Sequence, residues 1–313
     1  MLWEKAKYQL QNYNPMRFTA FIILIALFSG QSFGQTEPLI STYSITRGWL
    51  NPAQIASNPA DVQVKLLHRS QWSAMDNSPS TQLFSIENKF RANNGIGFYL
   101  SNDQLGFERI TSANLHYSRS VDFNSFLLTL GLGAGVTNRK LDGSKLRYQN
   151  PDPNAIESDQ NESAPDFSFG LAVHLGKFTV SSSLKHVLYS RNNDDFFKIS
   201  RQFFAEAYYQ LALSPTIITE PSISYKETGF TRKVGFGSTT TFYDRISAGI
   251  NYHTGKEANF IFGMNISQRI QVNYSFQHIF SDDVFVRPDS HEVSLVLSFN
   301  KHRVKLFQTP RYL

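Results

Sequence analysis

Residues 242–299 read FYDRISAGINYHTGKEANFIFGMNISQRIQVNYSFQHIFSDDVFVRPDSHEVSLVLSF, and this stretch decides the fold. Four segments in it alternate apolar with small or polar residues. They run Ile246–Tyr252, Ala258–Ile266, Ile270–Phe276 and Val293–Phe299. Successive side chains leave a strand on opposite faces, so a period of two is the strand period. Three of the four are joined by very short spacers, which makes an antiparallel meander. One face is aliphatic and aromatic; the other is Asn, Gln, Ser and Gly.

The whole chain limits what that meander belongs to. It has 313 residues, 41% of them apolar, with a mean hydropathy of −0.30. No bundle of membrane helices fits those values. There is no cysteine, so disulfides, thiolate metal sites and cysteine nucleophiles are excluded together. Arg17, the apolar run Phe18–Phe28 and the small residues up to Gly34 have the order of a secretory signal peptide. We expect residues 1–34 to be removed, with Met16 as an alternative start. The mature chain then has 27 basic and 24 acidic residues, net +3. That balance does not point to nucleic acid; it suits contact with anionic lipid headgroups.

Residues 35–60 have no clear period and contain the turn signals Asn51-Pro52 and Asn58-Pro59. We read them as an irregular periplasmic or lumenal lead-in. Alternation then runs almost unbroken, giving about fourteen strands across residues 61–299. Long spacers are expected at 71–79, 137–166, 187–201 and 279–289. The shortest spacers, at Gly176, Ser214-Pro215 and Tyr243–Arg245, fall in the other half of the series. In an up-and-down sheet this puts long loops at one end and tight turns at the other, as in outer-membrane barrels. An even strand count places both barrel termini at the periplasmic end. A soluble sandwich would carry Lys, Glu and Asp on its outer faces; here the second face is mostly uncharged. Strands of about ten residues match the roughly nine to eleven needed to cross a bilayer. Lipid offers no partner to an unpaired backbone group, so the sheet must close. The expected fold is an all-β transmembrane antiparallel up-and-down barrel.

No motif announces chemistry. Ser290-His291-Glu292 has the residues of a triad, but neighbours in a strand face opposite ways, so His291 cannot serve both. We read the three as polar residues entering the last strand. His68, His116, His174, His186, His253 and His278 belong to no motif. Asn150, Asp152 and Asn154 open like a calcium loop, but Ala155 and Asn161 occupy the positions that need Gly and Glu. No enzyme activity, cofactor or metal is expected. The chain ends on a basic tail, 300–313.

Several stretches resemble one family. Asn51-Pro52-Ala53, Arg69-Ser70-Gln71-Trp72 and Ser78-Pro79-Ser80-Thr81 resemble the opening of the PorP/SprF proteins of the Bacteroidetes type IX secretion and gliding apparatus. Pro165–Leu171, Pro221-Ser222, Ser290–Leu295 and Pro310-Arg311-Tyr312 resemble later parts of it, in order. Gln54, Ile55 and Ala56 depart from the aromatic and glycine usual after Asn-Pro-Ala. The resemblance implies an outer-membrane partner protein that helps export or anchor a secreted, adhesin-like surface protein with a type IX C-terminal sorting domain. It also implies a link, through a peptidoglycan-associated lipoprotein, to periplasmic secretion-ring components. Loops 137–166, 187–201 and 279–289 would face the cargo, and the lead-in and tail would face the periplasmic partners. Candidate partner-binding residues are Arg69 and Trp72 at an ordered rim, with Lys301, Arg303, Lys305 and Arg311 in the tail. The alternative is a diffusion channel or solute transporter; a lumen filled by the lead-in separates the two readings.

Overall fold

The computed structural model describes residues 40–300 except 58–59, 74–77, 92, 147–157, 188–198, 230 and 281–288. The expected signal peptide and the tail residues Lys301, Arg303, Lys305 and Arg311 lie outside the described residues.

The first described elements are a helix, α1 (Tyr43–Leu50), and a 3-10 turn, Pro52–Gln54. The strands are β1 (Val62–Ser70), β2 (Ser80–Phe90), β3 (Asn94–Leu105), β4 (Glu108–Asp122), β5 (Leu127–Leu141), β6 (Gln160–Leu175), β7 (Phe178–Lys185), β8 (Gln202–Tyr209), β9 (Leu211–Ser214), β10 (Ile217–Thr228), β11 (Thr231–Phe242), β12 (Ile246–His253), β13 (Glu257–Asn265), β14 (Ile270–Ile279) and β15 (Ser290–Phe299). β8 and β9 both pair with β10 and are two pieces of one barrel strand, interrupted at Gln210. Each strand pairs antiparallel with its sequence neighbours, and β1 pairs antiparallel with β15, from Val62 opposite Phe299 to Ser70 opposite His291. The result is a closed barrel of 14 strands. Closure leaves no edge, which lipid demands.

Alternation decides the two surfaces. In β5, Leu130, Leu132 and Val136 are more than half exposed on the outside, while Thr129, Gly131, Gly133 and Thr137 are buried toward the lumen. In β12 to β15 the outer series includes Ile250, Phe260, Phe262, Tyr274 and Val293; the inner series includes Asn251, Asn259, Asn273, Ser275 and Ser294. A conventional core is thus inverted: apolar atoms face the hydrocarbon and polar atoms face inward.

Spacers at the end holding Val62 and Phe299 are two to four residues long. Gly176-Lys177 is the tightest kind, with Gly176 at φ +59, the left-handed backbone that a two-residue hairpin requires. The opposite end carries the long loops. The expected loop 137–166 is shorter, because β5 continues to Leu141 and β6 starts at Gln160. These extensions stand beyond the apolar band, so they lose the hydrophobic period that marked the strands. Cross-strand polar pairs hold them instead: Arg139 to Glu108 at 2.8 Å and Ser112 to Thr137 at 2.8 Å. At the loop base Ser144 donates its N–H to Asp159 at 3.2 Å and its hydroxyl at 2.9 Å. Hydrogen bonds from Lys145 and Lys140 hold the Asp142 carboxyl down at about 2. Glu162 and Asp166, inside the expected loop, are strand residues of β6; Asn150, Asp152 and Asn154 lie outside the described residues.

Candidate functional site

The lead-in fills the barrel. Residues 40–43, 46 and 48–56 are buried, the most exposed of those with a stated value being Tyr43 at 8%. Read as irregular, the segment instead contains α1. Eight residues are too few for a stable free helix, so the wall must hold it.

The first anchor is Glu292, 1% exposed, projecting inward from β15. Its carboxylate accepts the N–H of Ser41 at 2.8 Å and of Thr42 at 3.0 Å, and the Thr42 hydroxyl as well. Thr42 is the N-cap residue but makes no side-chain cap of its own. Glu292 substitutes for that cap, and its charge suits the positive end of the helix. Arg69 on β1 stands beside it. One guanidinium nitrogen is 3.6 Å from the Glu292 carboxylate and donates to Ser41 Oγ at 2.9 Å; the other donates to Gln277.

The second anchor is Arg47. Its guanidinium donates to both oxygens of Glu206 at 3.0 Å and to Glu220 at 2.7 Å, and it lies 3.7 Å over the Tyr208 ring. A planar fork between two carboxylates fixes the rotation of the helix as well as its place. Around the rest of the wall, Tyr43 OH meets His253 at 3.2 Å, Lys185 lies 4.0 Å over Trp49, and Ser183 donates to the Leu50 carbonyl at 2.7 Å.

The helix stops where the sequence says it should. Asn51 precedes Pro52 and is extended, at φ −138 and ψ 110. Its side chain accepts from Ala53 N at 2.9 Å and donates to the Leu171 and Ser182 carbonyls at 3.2 and 3.1 Å. Asn51-Pro52-Ala53 is therefore a wedge against β6 and β7. It fits because Gly131 and Gly170 face it: a Cβ on Gly131 would overlap the backbone of Pro52 and Ala53, and one on Gly170 would stand 2.8 Å from Ala53 N. Gly131→Ala should destabilise the barrel by about 1–3 kcal/mol through overpacking, read as an earlier unfolding midpoint in urea. An unchanged midpoint would mean the wedge gives way freely.

The chain thus runs through the lumen from the long-loop half, at Glu292, to the short-turn end, where Ala56 N donates to Ser118 Oγ at 3.0 Å and Ser57 meets His174 at 2.7 Å. Beneath α1 a cavity of about 420 Å³ remains, lined by Arg47, Gln54, Glu87, Glu220, Asn273 and others, and reaching the turn residue Asp244.

Of the residues singled out by sequence, Arg69 is at the upper end of β1 but 1% exposed and engaged with the lead-in, not open to a protein outside. Trp72 is half-buried just above it, at φ 54, with its N–H 3.4 Å from Ser290 Oγ. Ser290 and Glu292 do face inward and His291 outward, which rules out a triad. Glu292, Arg47, Glu206 and Glu220 were missed. For Glu292 the available signal was a lone charge in the inward series Ser290, Ser294 and Val296; Glu206, between Phe204 and Tyr208, carried no such mark.

A closed barrel with an apolar exterior and an internal plug is an outer-membrane protein. Its fold matches solved outer-membrane barrels. The CymD monoaromatic hydrocarbon channel aligns with a TM-score of 0.55 at 12% identity, over 86% of this chain and 96% of that one. The Acinetobacter baumannii outer membrane protein Omp33 gives 0.51 at 8%, over 77% and 98%, and the Ralstonia pickettii toluene transporter TbuX 0.50 at 8%, over 80% and 92%. The more particular identity comes from the sequence. The family model of the type IX secretion system membrane protein PorP/SprF matches residues 32–297, and the chain belongs to that family. No curated protein matches the chain.

Proposed function

We propose that this barrel is a closed platform of type IX secretion. It holds a secreted, adhesin-like surface protein at its long loops and docks periplasmic secretion components at its short-turn end. The observation that carries this reading is the lead-in: a lumen occupied by the chain's own helix, pinned by Glu292 and Arg47, leaves the two ends as the working surfaces. The loop held at its base by Ser144 and Asp159 would face the cargo's C-terminal sorting domain. The tail residues Lys301, Arg303, Lys305 and Arg311 would face a peptidoglycan-associated lipoprotein and the secretion ring. Family membership supports the cargo and the periplasmic partners as classes.

The test is purification of the full-length protein from native membranes, with mass spectrometry of what accompanies it. We expect a secreted protein with a C-terminal sorting domain, lost when residues 142–159 are replaced by a short turn, and a periplasmic lipoprotein lost when the tail is removed. Purification of the barrel alone would reject the platform. The rival reading, a diffusion channel or solute transporter, draws on the cavity beneath α1 and on the channel titles of the structural neighbours, whose likeness at 8–12% identity is one of fold.

A further inference from the structure

The two rims differ in how many of their cations meet an acid. At the long-loop rim several do: Arg139 is 2.8 Å from Glu108, Lys140 and Lys145 are each 2.9 Å from Asp142, and Arg232 is 3.4 Å from Glu227, while Arg109, Arg201 and Lys256 are exposed there without an ion pair among the described residues. At the short-turn rim Arg91, Arg119, Lys177, Arg245 and Arg269 are exposed, and none has an ion pair among the described residues. Four of them occupy the hairpin turns 91–93, 176–177, 243–245 and 266–269.

Arg119 says most about what they meet. It belongs to the outward series of β4, between Tyr117 (41% exposed) and Val121 (42%). Its cross-strand neighbours are Asn94 and Leu130, the latter 55% exposed. A guanidinium is thus set among lipid-facing side chains with no carboxylate beside it. A charge there needs an anion within reach of its stem, at the depth where the hydrocarbon ends. Exposed aromatics mark that depth: Phe123, Phe178, Phe242, Tyr243 and Phe299 ring the same end.

We propose that these five cations form a collar that binds anionic phospholipid headgroups of the periplasmic leaflet. The ligand is a phosphodiester, reached from the side of the barrel and not through its lumen. Attraction of about 1 kcal/mol per cation near an anionic surface corresponds to about fivefold in affinity for each, and it weakens with salt as exposed charges do. The proposal concerns the wall alone and is independent of any cargo.

The test uses the full-length protein in detergent, titrated with phosphatidylglycerol or with phosphatidylethanolamine, and native mass spectrometry of the lipid retained. Wild type should keep phosphatidylglycerol preferentially. A variant with Arg91, Arg119, Lys177, Arg245 and Arg269 all changed to Gln should lose that preference, each single change costing about fivefold. Changing Arg109, Arg201 and Lys256 to Gln at the opposite rim should leave it intact; band shift on an unboiled gel checks that each variant is folded. Equal retention by wild type and the five-site variant overturns the proposal. So does equal loss in the opposite-rim variant. Retention of neither lipid, with an acidic periplasmic protein bound through the same five residues, overturns it in favour of a protein partner.

Discussion

Glu292→Gln should destabilise the barrel by about 3 kcal/mol or more, although it changes one oxygen to an amide. Arg69 and Glu292 are each 1% exposed at the side chain and 3.6 Å apart. Removing one partner of a buried pair leaves the other charge without compensation, at about 3–5 kcal/mol. The same change takes charge from the acceptor of two backbone N–H groups at the start of α1. Urea unfolding in micelles measures the loss directly. Arg69→Met combined with Glu292→Gln removes both charges and should recover part of it, because the orphaned guanidinium is gone. If Glu292→Gln unfolds at the wild-type midpoint, the carboxylate does not hold the plug.

The second large effect is on conduction. In a planar bilayer the intact protein should carry no steady current. A variant lacking residues 40–57 should give stable open steps, since the wall left behind is lined by Ser, Thr, Asn and the now hydrated Glu206, Glu220 and Glu292. The unboiled gel must show a folded band for that variant. Should excision prevent folding, Arg47→Ala with Glu292→Gln keeps the chain length and cuts both anchors, and intermittent openings are expected. Steady current through the intact protein, equal to that of the excised one, would favour the channel reading and defeat the platform.

The barrel was legible because its determinant is local. Leu128, Leu130 and Leu132 alternate with Thr129, Gly131 and Gly133, and the period alone assigns faces. Spacer lengths gave orientation for the same reason. Strand ends above the membrane were not legible: Thr137–Leu141 pairs with Gln160–Ala164 without any apolar period, once lipid stops imposing one. The lumen was harder still. Glu292 contacts Ser41 across 251 positions, and nothing beside Glu292 in the chain distinguishes an anchor from a polar residue at a strand entrance. Asn51-Pro52-Ala53 is legible only as a family resemblance; its physical meaning, a wedge between glycines, depends on Gly131 and Gly170 being brought to it by the fold.

The linkage of Ser41 to Glu292 also orders the making of the molecule. The lead-in leaves the ribosome before any strand, yet its first anchor is on β15, the last strand, and its second is shared by β8 and β10. Contacts of such long separation form late, because loop closure must precede them. During insertion the sheet must therefore curl around a segment that it has not yet gripped. Zipping of β1 to β15 brings Arg69 and Glu292 side by side, so sealing the wall and capping the helix are the same event. A chain stopped short of β15 would be left both open at its seam and without a fixed stopper.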